Sequence, residues 1–185
     1  MDADLRRRLD SFLRPLYQDL DGASRMEEVE RIARIARALY TPADATATRA
    51  FELLLLFHRL GRWLDKVGNL SRTLLVTGLH EDELRATAAS IRRLDEPVSE
   101  AERAVAAAVL LDESGVRGLT DRLMHARREG STALDVVRAA MSDVEVPEWL
   151  PARARPWLHA RREARREVCR RLFAELAGED LTDFR

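Results

Sequence analysis

The residues able to do chemistry in this chain of 185 are few, and they are scattered. His58 follows the apolar run Leu53 to Phe57, at the end of a segment that is greasy on nearly every face. A histidine placed there is either a core imidazole satisfied by a backbone carbonyl or a pocket residue. Its neighbour Arg59 is either a surface guanidinium whose stem lies along Leu56 and Leu60 or a cation facing the same pocket. Asp112 closes the Ala- and Val-rich run Ala104 to Leu111 and reads equally as a helix-terminal carboxylate bonded to nearby amides or as a pocket acid. His80, His125 and His159 have no metal-ligand spacing with one another and read as structural or solvent-facing. The lone Cys169 excludes an internal disulfide and any CxxC motif, which fits a reducing cytoplasm.

Arginines dominate the C-terminal segment. Arg153, Arg155, Arg161, Arg162, Arg165, Arg166, Arg170 and Arg171 lie with Trp149 and Trp157, a composition that can follow a phosphate backbone. Two facts argue against a nucleic-acid partner. Glu163 and Glu167 stand three or four residues before Arg166, Arg170 and Arg171, where they pair along a helix, and the formal charge of the whole chain is −1. Of the 31 basic residues only Lys66 is a lysine, and Asp65-Lys66-Val67-Gly68-Asn69 reads as a turn.

The elements that must position these residues are helices. Hydrophobic residues make up 46%, charged residues 34% and aromatics 5%, too apolar for a disordered chain and too poor in β-formers for a sandwich or barrel. Leu5, Leu9, Phe12, Leu13 and Leu16 recur at helical spacing. Ser24 with Glu27, and Ser99 with Glu102, have the spacing of capping boxes. Thr41, Pro42 and Asp44 supply a cap, a first-turn proline and a first-turn acid for the segment ending Phe51 to Leu60. Leu84, Ala88 and Ile91 give an inward face to 81–94, which Pro97 ends. Ser131 or Thr132 caps a helix to about residue 141, and Pro156 suits the first turn of a last long helix with an apolar side of Trp157, Val168, Leu172, Phe173 and Leu176. The longest apolar runs fall far short of the ~20 residues that cross a bilayer, and no apolar signal region follows the charged start. The expectation is an all-α, single-domain, cytoplasmic protein over 1–178, with a frayed tail over 179–185.

The order of these elements, together with short strings inside them, resembles the HD superfamily of metal-dependent phosphohydrolases. Leu55-Leu56-Phe57-His58-Arg59-Leu60-Gly61-Arg62 is similar to that family's Leu-Leu-His-Asp-Ile-Gly-Lys string, with Arg59 where the family has aspartate. Glu28-Val29-Glu30-Arg31-Ile32 keeps the frame of a His-Val-x-Arg-Val string, with Glu28 at the histidine. Pro97 to Glu102 leads to Leu110-Leu111-Asp112, where Asp112 matches the last metal aspartate, and Leu172 to Gly178 resembles the family's closing helix.

The resemblance implies an HD-like helical bundle with a central buried helix. It also implies a site in which two histidines and two carboxylates converge on divalent cations that activate water and hold phosphate oxygens. In this chain those positions carry Glu28, His58, Arg59 and Asp112, with Arg62 close by in sequence. A guanidinium has no lone pair and keeps its proton, so Arg59 puts a fixed positive charge where a dication would bind. The resulting expectation is a pseudoenzyme that has lost its metal site, needs no cofactor and acts as a binding or regulatory protein. Its cationic pocket of Glu28, His58, Arg59, Arg62 and Asp112 would take an anion such as a nucleotide or phosphate, and a protein partner fits the same reading. Arg59 is expected within salt-bridge distance of Glu28 or Asp112. The alternative is a phosphohydrolase acting on nucleotides or phosphate monoesters, with one Mn, Mg or Fe ion held by His58, Asp112 and Glu28, and with Arg59 or Arg62 clamping the phosphate.

Overall fold

A computed structural model describes residues 3–19, 25–126, 130–142 and 145–177. Among the described residues there are ten α-helices and no strand, and no helix is long and apolar enough to cross a membrane. Contacts divide the chain into two compact units, 1–108 and 109–185.

The first unit opens with α1 (Ala3–Asp19), whose inward face of Leu5, Leu9, Leu13 and Tyr17 is buried. Next, α2 (Arg25–Leu39) buries Val29, Ile32, Ala36 and Leu39 at the same period. The capping box expected at Ser24 lies outside the described residues. After it comes α3 (Ala45–Phe57), which buries Phe51 and every residue from Leu53 to Phe57, as its all-round apolar sequence requires. Its cap is Asp44 rather than Thr41: the Asp44 carboxylate accepts from the Ala47 amide at 2.7 Å, leaving Thr41 and Pro42 outside the helix.

The short α4 (Gly61–Leu64) and α5 (Asn69–Thr77) follow, the second framed by Gly68 and Gly78, both at positive φ. Helix α6 (Glu81–Arg92) turns Leu84, Ala88 and Ile91 inward as expected and packs on α3. At Gly61 an added Cβ would stand 2.9 Å from Ile91 Cγ2, so the glycine lets α4 approach α6.

Helix α7 (Glu100–Ser114) runs across the boundary between the units. It starts with the capping box read from the sequence: the Glu102 amide donates to Ser99 Oγ at 3.1 Å, and the Ser99 amide donates to Glu102 Oε2 at 3.1 Å.

The second unit continues with α8 (Val116–Ala126), α9 (Ala133–Met141), a 3₁₀ turn (Ala152–Ala154) and α10 (Arg155–Ala177). Thr132 caps α9, accepting from the Asp135 amide at 3.1 Å. Leu119, Val137, Ala140 and Cys169 form the core of α8, α9 and α10, with Val168, Leu172 and Phe173 packed against it. The expected apolar side of α10 needs correction at both ends. Trp157 is 42% and Leu176 50% exposed, while the inward line is Leu158, Arg162, Arg165 and Cys169. The reason is that the stripe follows the spacing of 158, 162, 165 and 169, two members of which are arginines. The expected tail over 179–185 lies outside the described residues.

Candidate functional site

The C-terminal end of α3 is buried, so its last carbonyls need donors. Tyr17 on α1 donates its hydroxyl to Leu56 O at 2.7 Å, and the Leu60 amide donates to Phe57 O at 2.7 Å. His58, the residue that caps the helix, stands with Nδ1 2.7 Å from Leu55 O and is 6% exposed. A carbonyl accepts only, so Nδ1 carries the proton. At Nδ1 this matches one of the two readings of His58 from the sequence, an imidazole bonded to a backbone carbonyl.

The next residue reaches across to α2. Arg59 Nε and Nη2 both donate to Glu28 Oε1, at 3.0 and 2.6 Å, joining residues 31 apart in sequence. The Arg59 and Glu28 side chains are 28% and 16% exposed, so the pair is partly shielded from water. The local helices support this placement: Glu28 lies in the first turn of α2, where the positive end of the helix dipole favours an acid, and Arg59 follows the negative end of α3. The ion pair expected at this position is present.

Arg62 lies on α4 and is exposed. Asp112 belongs to the second unit, on α7, and is buried at 4% exposure. Of the five residues, Glu28 and Arg59 touch each other, and His58 adjoins Arg59 in the chain.

These residues do not fit a divalent cation well. Glu28 Oε1 already accepts two guanidinium hydrogen bonds, and a dication on that carboxylate would stand against a fixed positive charge. Among the described residues no group of three His, Cys, Asp or Glu side chains could hold a metal ion. Comparison with protein-family models, with curated proteins and with solved structures finds no match.

His80 and His159 are exposed, and His125 Nδ1 is 2.6 Å from Asp121 O, one turn back on its own helix. Lys66 is exposed in its turn.

Three features escaped the sequence reading. The first is a second forked pair, Arg37 Nε and Nη2 on Glu52 at 2.8 and 2.6 Å, which ties α2 to α3 and raises the pKa of Arg37 through that hydrogen bond. The second is a groove of about 760 Å³ lined by residues of α3 and α6 such as Ala47, Ala50, Leu54, Ala86 and Thr87, whose small side chains carry no chemical signature in the sequence. The third is the burial of Arg162 and Arg165. Its signal was present in the four-three-four spacing that places them in line with Leu158 and Cys169.

Proposed function

We propose that this protein is an HD-like, metal-independent binding or regulatory protein for a phosphate-bearing small molecule, and that Arg59 stands in for the lost metal. The observation that carries this reading is the forked contact of Arg59 on Glu28, which neutralises by a side chain an acid that the resemblance assigns to a cation. Arg62, one turn further on and exposed, supplies the guanidinium that meets the ligand, because the Arg59 fork is already engaged by Glu28. Nothing in this arrangement requires a metal for binding, since guanidinium–phosphate contacts need none.

The experiment is calorimetry of a nucleotide panel and inorganic phosphate with and without EDTA, alongside a phosphatase screen with Mn²⁺ and Mg²⁺. The expected result is binding that EDTA leaves unchanged, weakened by Arg62→Ala, with no turnover. Binding that vanishes with EDTA, together with hydrolysis restored by Mn²⁺, would favour the phosphohydrolase alternative.

A further inference from the structure

Helix α1 carries a second stripe beside its buried one. Leu5, Leu9, Leu13 and Tyr17 are buried, whereas Arg8, Phe12 and Leu16, each one turn from the next, line a groove against α5. The groove lies within the first unit and has a volume of about 570 Å³. Its floor is apolar, made by Phe12, Pro15 and Leu16 of α1 and Val76 of α5. Phe12 and Leu16 are half-buried, and Phe12 is held edge-on against Trp63, with ring centroids 5.9 Å apart.

The rim is cationic. Arg7, Arg8 and Arg72 line the groove, and no acid does. Asp4, one turn earlier on α1, meets Arg7 at 3.0 Å and Arg8 at 3.6 Å, so one carboxylate answers two guanidiniums. Arg8 reaches the far end of α5: its Nη1 is 3.6 Å from the place of an added Cβ on Gly78, the residue that caps that helix. Arg72 stands exposed on α5 itself. Apolar surface continues past the floor, because Leu75 is 87% and Val76 49% exposed, three and four residues after Arg72 and on one face with it. A single exposed leucine is ordinary, but an apolar strip that adjoins a concave apolar floor and is edged by cations marks a contact surface.

We propose that the α1–α5 groove docks an acidic amphipathic helix of a protein partner. The apolar residues of that helix would pack on Phe12, Leu16, Leu75 and Val76, and its carboxylates would meet Arg7, Arg8 and Arg72. Charge complementarity selects acids, since a guanidinium fork pairs a carboxylate with two hydrogen bonds. Concavity selects a helix over a lipid surface. The floor is recessed below exposed arginines, where side chains spaced by one turn can enter and a flat layer of headgroups cannot. This surface shares no residue with the Glu28–Arg59 pair or with Arg62.

The test is fluorescence anisotropy of the full chain with two synthetic probes of about 18 residues, long enough for five turns of helix. One has leucine at i, i+3, i+4 and i+7 and glutamate at the flanking positions, and the other has lysine in place of every glutamate. The expected result is saturable binding of the acidic probe, at least about tenfold tighter than the basic one. Arg72→Glu and Leu75→Ser, both at exposed positions, each weaken it by about threefold or more, while Arg117→Glu, an equal charge reversal at an exposed position on α8, leaves it unchanged. Three results would overturn the proposal: an acidic probe that does not saturate by about 1 mM, equal binding of the two probes, or binding that Arg72→Glu and Leu75→Ser do not alter. Co-sedimentation with phosphatidylglycerol vesicles supplies the last arm, and Arg72-dependent binding to them in place of the acidic probe would assign the groove to a membrane instead.

Discussion

Glu102 shows how one side chain can hold a helix start and a loop together. Its side chain is 1% exposed, and its carboxylate accepts from the amides of Val98 and Ser99 at 3.0 and 3.1 Å and from Arg93 Nε at 3.2 Å. Burial by itself would raise its pKa, but the hydrogen bonds from Arg93, the Ser99 amide, Ser90 and the Val98 amide outweigh it and lower the pKa to about 2. A folded-state pKa below the ordinary one means stability that is fully present above about pH 4.5 and lost as the pH falls toward 2. Glu102→Gln is therefore expected to cost about 3 kcal/mol at neutral pH, with more than half of the difference gone by about pH 3, as read by denaturant unfolding at both values. The Glu28–Arg59 pair is more exposed and accordingly weaker. A double-mutant cycle of Glu28→Gln and Arg59→Ala is expected to return a coupling of about 1 kcal/mol, and a coupling near zero would mean that the contact is ornamental. The Glu28–Arg59 contact was legible only through the resemblance, because residues 31 apart give no spacing signal of their own. Arg165 was hidden for the opposite reason: it stands among arginines that do face water, and residue type alone does not separate them.

Among the elements, the turn from α7 to α8 is the most sharply constrained. Arg161 Nη1 donates to Leu111 O at 2.9 Å and so satisfies a last-turn carbonyl of α7. An added Cβ at Gly118 would lie 2.0 Å from the Glu113 carbonyl oxygen, a backbone atom with no room to yield. Gly118→Ala is expected to cost at least about 2 kcal/mol. Gly68, at φ 86° with nothing within 4 Å of an added Cβ, carries only a backbone penalty, so Gly68→Ala costs about 1 kcal/mol. Measured side by side by thermal unfolding, the two alanines separate packing from backbone strain, and Asp44→Ala, which removes the α3 cap, lies near ~1 kcal/mol. The sequence marked most helices because caps and apolar period agreed, as they do at Ser99, Thr132 and along α6. It misplaced the start of α3 because Thr41 and Asp44 are both good caps, and only the backbone shows which one bonds an amide. It misjudged the ends of α10 because Trp157 and Leu176 were counted as apolar and therefore inward.

At the scale of the whole molecule, 31 basic and 32 acidic residues nearly cancel. Much of that cancellation is local, in pairs such as Arg7–Asp4, Arg85–Glu81 and Arg170–Glu167, which contribute little each and are screened by salt. Other arginines are set apart from these exposed pairs: Arg59 is partly shielded against Glu28 in the first unit, and Arg162 and Arg165 are buried in the second. The proposed role of Arg59 in place of a metal is tested by elemental analysis of protein purified without chelator, followed by thermal unfolding with added Mn²⁺ and with EDTA. Metal far below one equivalent per chain and a midpoint that neither additive moves are the expected result. Near-stoichiometric metal, with a midpoint that falls in EDTA and recovers with Mn²⁺, would contradict it.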